Sequence, residues 1–167
     1  MSQYPPKLAE IVDLFEHLPE EEKRENLIAY ADQAGSHSPK PGSSYDLEDV
    51  RKDEECTDTV GVFLSVADDQ TVDLRVSLGA HVQTLTRAMT SILCTGLKGA
   101  SIRQILDVSG DFVPKLVGGE LVRARSQTVY YILTRIRSAC KVWLDRKRAA
   151  DLGIEYAPQN KTGCVAS

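Results

Sequence analysis

Long hydrophobic runs and closely spaced cysteine pairs are both missing from this sequence of 167 residues. No stretch approaches the roughly 20 apolar residues that a membrane-spanning helix requires, so we expect no membrane partner. The first ten residues contain no charged segment followed by an apolar run, and we therefore expect no signal peptide. The four cysteines are Cys56, Cys94, Cys140 and Cys164, and the lack of any CxxC spacing disfavours a zinc site or a thioredoxin motif. Unpaired thiols are typical of a cytoplasmic protein.

An excess of positive charge is missing as well. The formal net charge is −4, which argues against a general nucleic-acid-binding protein. The charge is uneven, since residues 46–55 contain six acids and two bases, whereas residues 135–148 contain six bases and one acid. Hydrophobic residues make up 42% and charged residues 26%, as in an ordinary globular protein. We expect one domain over residues 1–150 and a polar tail over residues 151–167.

Hydrophobic periodicity predicts an α+β fold, with helices packed around a small antiparallel sheet in a single domain. Apolar residues alternate along residues 59–66 and 72–78, which predicts an antiparallel hairpin. The charged run from Asp46 to Glu55 would by itself indicate a solvated linker, but Cys56 follows it directly. We expect residues 35–55 to form the least ordered internal loop, which moves when a partner docks. Helices are predicted from about Pro6 to His17, after Pro19, over residues 82–96, after a capping-box pattern at Ser101 and Gln104, and from about Ala124 to Ala150.

Cys56 is the candidate functional residue because it stands where the charged run meets the first strand of the hairpin. A thiol held by a strand on one side and a loop on the other is well placed for reaction, and we expect it to face a shallow apolar hollow formed with the last helix. The alternative is that Cys56 is simply a small apolar residue at a strand edge. Cys94 and Cys140 fall on apolar faces of predicted helices, where packing accounts for them.

The order of elements and two short motifs resemble the SufE family of sulfur acceptors, from about Glu20 to Trp143. Members show Gly-Cys-x-Ser-x-Val-Trp entering the first strand, where this chain has Glu-Cys-Thr-Asp-Thr-Val-Gly at 55–61. The cysteine and valine are kept, whereas the glycine, serine and tryptophan are replaced. A second family feature, Ser-Arg-x-x-Gly-Leu opening the last helix, corresponds to Ala-Arg-Ser-Gln-Thr-Val at 124–129, which keeps Arg125 and loses the glycine.

The resemblance implies that Cys56 accepts persulfide sulfur from a SufS-like cysteine desulfurase and passes it to an iron–sulfur cluster assembly scaffold, with Arg125 in support. Such a protein is a sulfur-transfer partner and not a stand-alone enzyme. The family needs no cofactor or metal of its own, because the desulfurase carries the pyridoxal phosphate. Glu54, Glu55 and Asp58 disfavour a thiolate at Cys56. Three explanations would reconcile these acids with a sulfur-accepting Cys56. Arg125 lies near Cys56, the docked partner supplies positive charge, or the thiol reacts slowly.

Two other functions fit the same residues. A non-catalytic docking module would share the fold and bind a desulfurase or another partner without carrying sulfur. The altered motif around Cys56 favours that module, and the retention of Cys56 itself opposes it. A cluster scaffold of the IscU type has a similar fold but needs three or more converging ligands, which Cys94 and Cys140 on apolar helix faces do not supply. The sequence leaves homodimer formation open.

Overall fold

The computed structural model describes residues 3–52 and 59–153. In these residues six α-helices surround a three-stranded antiparallel sheet of strand order β1-β2-β3, and one continuous cluster of buried apolar side chains joins the elements. The predicted α+β class and single domain are therefore confirmed. No helix in the described ranges is both long enough and apolar enough to cross a membrane. The elements are α1 (Pro6–Glu16), α2 (Glu20–Asp32), β1 (Leu47–Lys52), β2 (Thr59–Val66), β3 (Val72–Leu78), α3 (Thr84–Gly96), α4 (Ile102–Asp107), α5 (Val113–Val117) and α6 (Gly119–Asp151).

Helix α1 forms where the sequence predicts it and buries one apolar stripe. Its buried side chains are spaced by three and four residues, so they lie on one face of the helix. That face packs on α3 and α5. Pro6 occupies the first helical position, where the missing N–H would have no partner within the helix anyway. The buried residues are Leu8, Ile11, Val12 and Phe15.

The hairpin of β2 and β3 is also confirmed, and its inward side chains are the predicted ones. Val60 lies opposite Leu78 and Leu64 lies opposite Leu74, so the apolar residues of both strands share one face. The capping box before α4 is present as well. Ser101 Oγ accepts from the Gln104 backbone N–H at 3.1 Å, and Gln104 Oε1 accepts from the Ser101 N–H at 2.9 Å.

The prediction of a loop over residues 35–55 is wrong for Leu47–Lys52, which forms β1 and pairs antiparallel with β2. Residues 53–55 of that segment lie outside the described part of the chain. The sequence pattern did not predict β1 because Leu47 is the only apolar residue on the inward face of the strand. Asp49 and Arg51 share that face, since they lie directly opposite Val62 and Val60 of β2.

Helix α6 begins at Gly119, earlier than the predicted start at Ala124, and ends at Asp151, close to the predicted end. Its 33 residues span about 50 Å at about 1.5 Å per residue. At Arg125 the backbone leaves helical geometry (φ −135°, ψ 35°), which kinks the helix. The straight segment of α6 therefore begins after Arg125, and the helical residues 119–124 precede the kink. The buried residues of the straight segment are Val129, Ile132, Leu133, Arg135, Ile136, Ala139 and Cys140, with Trp143 half-buried.

Candidate functional site

The part of the chain that contains Cys56 connects β1 to β2. Cys56 lies outside the described residues, so its predicted place at an apolar hollow stays a prediction. The strand ends on both sides are defined, because Lys52 lies opposite Thr59 in the last described pair of the ladder. The Thr59 carbonyl also accepts a hydrogen bond from the Gly79 N–H at 3.0 Å. Cys56 thus stands three positions before a residue that is paired on both sides.

A buried arginine on α6 lies against these strands. Arg135 is only 4% exposed, although it stands on the otherwise apolar stripe of the helix. Its Nη2 donates to the carbonyl oxygen of Asp49 at 3.0 Å and to that of Val60 at 2.9 Å. Its Nη1 donates to the Tyr131 hydroxyl at 3.2 Å. One side chain therefore joins β1, β2 and α6.

The Asp49 carboxylate is the acid of this cluster. Its Oδ1 lies 3.7 Å from Arg135 Nη2 and accepts from Arg51 Nε at 2.9 Å, while its Oδ2 accepts from Arg51 Nη2 at 3.0 Å. Arg51 Nη2 also donates to the Ser138 hydroxyl on α6 at 3.2 Å. Two guanidinium groups share one carboxylate, so the cluster carries one excess positive charge. The sequence analysis did not predict this cluster. Its one signal in the sequence is Arg135, a charged residue on the otherwise apolar stripe of the last helix.

Arg125 stands at the kink of α6 and not at the start of the helix. Its side chain is exposed, and its Nη1 donates to Gln83 Oε1, just before α3, at 3.3 Å. Arg125 also lines a surface groove of about 300 Å³ together with Arg24 and two exposed apolar side chains, Ile28 and Leu121. Because Cys56 lies outside the described residues, a position of Arg125 near Cys56 stays one of the three open explanations.

The two cysteines on helices are buried, as the sequence predicts. Cys94 is 4% exposed and Cys140 is 0% exposed. Burial raises the pKa of each thiol to about 12, although Arg75 slightly opposes the rise for Cys94. Both are protonated near neutral pH, and because the thiolate is the nucleophile, neither is reactive. Within residues 3–52 and 59–153, no three His, Cys, Asp or Glu side chains converge as metal ligands would.

The sequence matches the SufE family model, described as an Fe-S metabolism associated domain, over residues 9–140. The chain belongs to the SufE family. Membership associates it with iron–sulfur metabolism, and the match includes Cys56, Cys94, Cys140 and Arg125 but not Cys164.

Two solved structures are similar to this SufE-family protein. One is the solution structure of a hypothetical protein from Thermus thermophilus, with a TM-score of 0.65 and 24% identity, covering 85% of this chain and 98% of that one. The other is the N-terminal part of a nitrogen-fixing NifU-like protein from Brucella abortus, with a TM-score of 0.55 and 15% identity, covering 72% of this chain and 93% of that one. At these identities the likeness concerns the fold alone. No curated protein matches the sequence significantly.

Proposed function

We propose that this SufE-family protein is a sulfur carrier that takes persulfide sulfur from a SufS-like cysteine desulfurase on Cys56. It then passes the sulfur to an iron–sulfur cluster assembly scaffold. The observation that carries the proposal is the burial of Cys94 and Cys140, whose raised thiol pKa values of about 12 leave them protonated. Cys164 lies outside the family match, so Cys56 is the one cysteine in the matched region that is left for the chemistry.

The transfer is a thiol exchange that needs no added oxidant or reductant. The Cys56 thiolate attacks the terminal sulfur of the persulfide on the desulfurase cysteine. The new S–S bond forms as the old one breaks, and the electron pair of the old bond leaves with the donor cysteine as a thiolate. Cys56 then carries the persulfide, and the terminal sulfur keeps its proton. A lone thiol suits a carrier, because a neighbouring cysteine would attack the persulfide and release sulfide.

The charges at and between the strand ends have opposing effects on a thiolate at Cys56. Glu54, Glu55 and Asp58 disfavour a thiolate, since like charges oppose ionisation. The cluster of Asp49, Arg51 and Arg135 adds one net positive charge beside β1 and β2, and positive charge near a thiol favours the thiolate. The desulfurase is expected to supply further positive charge when it docks.

Arg125 and its groove support a docking role. Ile28 and Leu121 are 49% and 41% exposed, and they line the same groove as Arg24 and Arg125. Exposed apolar side chains next to arginine are typical of protein interfaces. We assign to Arg125 a supporting role in binding the desulfurase, whereas Cys56 carries out the chemistry. The protein then acts in the cytoplasm as a partner of that enzyme.

The test is to incubate the protein with a cysteine desulfurase and L-cysteine and to read its intact mass. The parent protein should gain one sulfur atom on Cys56 and stimulate desulfurase turnover. Cys56→Ser should do neither while it stays folded, because serine has nearly the same volume and cannot carry a sulfane sulfur. Cys164→Ser is the matched control and should behave as the parent. Full stimulation by Cys56→Ser would end the carrier proposal.

A second candidate is a docking module that binds a desulfurase without carrying sulfur. The environment of Gly61 favours it, because the family motif has tryptophan at that position. A Cβ on residue 61 would lie 2.6 Å from Ser77 Oγ, 2.8 Å from Phe63 Cε2 and 3.0 Å from Val50 Cγ2. The space of the tryptophan is thus occupied, and this face has diverged from the motif. A module of this kind would bind the desulfurase equally well as parent and as Cys56→Ser, with no added sulfur on either.

A further inference from the structure

We propose that the groove lined by α2, by the start of α3 and by the start of α6 binds an acidic segment of the cysteine desulfurase. An apolar side chain of that segment inserts between Ile28 and Leu121, and carboxylates beside it pair with Arg24 and Arg125. All four groove residues lie in the described part of the chain. The inference rests on the desulfurase as the partner in the proposed function and not on the transfer of sulfur.

Helix α6 carries the side of its apolar stripe into the groove. Leu121 and Arg125 stand eight and four residues before Val129, and these spacings place side chains on one side of a helix. Val129 is 0% exposed, whereas Leu121 is 41% exposed. The kink at Arg125 separates both residues from the buried part of the stripe. An apolar side chain and a cation therefore stand together where the core no longer covers the helix.

Helix α2 exposes the matching side on the other wall of the groove. Ile28 and Arg24 stand three and seven residues before Ala31, which is the buried residue of this helix. Ala31 is 3% exposed, whereas Ile28 is 49% exposed. Two helices thus leave apolar side chains uncovered at the same groove, which is typical of a surface that a partner covers.

The charge of the groove indicates what the partner must carry. Two arginines line it, and no acidic side chain does so among the described residues. Arg125 donates to the neutral amide oxygen of Gln83 at 3.3 Å. Within residues 3–52 and 59–153, no carboxylate lies within ion-pair distance of Arg24 or Arg125. Arginine binds carboxylates in a bidentate geometry, so the complementary occupant is acidic.

The exposed apolar side chains favour a protein segment over a small anion. A phosphate or another small anion would neutralise the arginines but would leave Ile28 and Leu121 in water. The groove volume of about 300 Å³ equals that of about ten water molecules, which is room for one or two side chains. Apolar contacts next to arginine are typical of the centre of a protein interface. The desulfurase is the protein that must dock for transfer to occur, and we therefore assign the segment to it.

The experiment measures binding and not transfer. Cys56→Ser is the background, no L-cysteine is added, and calorimetry gives the dissociation constant with a SufS-like desulfurase at about 50 mM and about 300 mM salt. Arg24→Gln should raise the dissociation constant about 5- to 10-fold at the lower salt concentration and less at the higher one, because salt screens charge pairs. Ile28→Ala should raise it about fivefold at both concentrations, because the change removes an apolar contact.

Two exposed residues outside the groove provide matched controls. Arg103→Gln removes an exposed arginine of α4, and Leu14→Ala removes a leucine of α1 that is 50% exposed. Both variants should bind the desulfurase as the background does at either salt concentration. Sedimentation of the protein alone should show no self-association that Arg24→Gln or Ile28→Ala weakens, because the occupant is the desulfurase and not a second copy.

Several results would overturn the inference. Binding as tight as that of the background in both Arg24→Gln and Ile28→Ala, or no binding by the background itself, would exclude the groove as the docking site. An effect of Arg24→Gln that is equal at both salt concentrations would exclude an acidic occupant. Self-association lost in the variants would assign the groove to a second copy, and variants unfolded by circular dichroism would show a structural role. Failure of the carrier function is reported separately, because full stimulation by Cys56→Ser would end sulfur transfer and leave these binding results unchanged.

Discussion

Alkaline pH should destabilise this protein through its two buried cysteines. In the folded state the thiols of Cys94 and Cys140 keep their protons up to a pKa of about 12, whereas their ordinary value is 9.0. Above pH 9 the unfolded chain therefore binds fewer protons than the folded protein. The free energy of unfolding must then fall as the pH rises from the ordinary pKa toward the raised one.

The size of the effect follows from the shift. Each thiol contributes a loss of about 1.4 kcal/mol per pH unit within this window. At about pH 10.5 the loss is about 2 kcal/mol for each cysteine and about 4 kcal/mol for both. A domain of this size has a total stability of about 5–15 kcal/mol, so the effect is readily measured. Near neutral pH the same protons are held in both states and the effect vanishes.

The assay is urea unfolding, followed by circular dichroism in the presence of reductant, at about pH 8 and about pH 10.5. Between the two pH values, the free energy of unfolding of the parent should fall by about 4 kcal/mol more than that of the double variant Cys94→Ala/Cys140→Ala. Burial also raises the pKa of Tyr30, but this contribution is present in both proteins and cancels. Ile136→Val, a core change without a titratable group, should keep the parent's pH dependence. Equal losses in the parent and the double variant would refute the reasoning.

Three further changes test other parts of the structure. Gly61→Ala should cost about 1–3 kcal/mol in urea unfolding because its Cβ would be too close to three side chains, and Phe63→Ala should relieve part of that cost. Ser101→Ala should cost about 1 kcal/mol by removing the capping box of α4, and an unchanged unfolding midpoint would contradict this. Arg125→Ala should raise the half-saturating concentration for desulfurase stimulation severalfold while Cys56 still accepts sulfur, whereas Arg123→Ala on the same exposed turn should not.

The elements predicted correctly from the sequence are those in which side-chain polarity follows backbone geometry. The strands β2 and β3 alternate, α1 repeats every three to four residues, and the Ser101 capping box marks the start of α4. In each of these, local sequence and tertiary packing favour the same structure. Cys94 and Cys140 were assigned to packing by the same logic, and their burial bears it out.

The elements that were missed depend on contacts between distant parts of the chain. Strand β1 places Asp49 and Arg51 on its inward face, and that placement is stabilised by α6 more than 80 residues later in the sequence. No local pattern reports such a contact. The kink at Arg125 was missed for a related reason, since neither proline nor a glycine pair marks the position. The role that we propose for Cys56 rests on the family motif and not on periodicity.

The polar inward face of β1 has a consequence for the protein at high concentration. In the described sheet β1 has a neighbour on one side only, and an edge strand exposes peptide groups that can pair with a second chain. Asp49 and Arg51 point inward on that edge, so a strand added beside β1 would extend its face over charged groups and not over apolar ones. Inward-pointing charges of this kind disfavour edge-to-edge aggregation. The cluster that hides β1 from sequence patterns therefore also disfavours the addition of a further strand at this edge of the sheet.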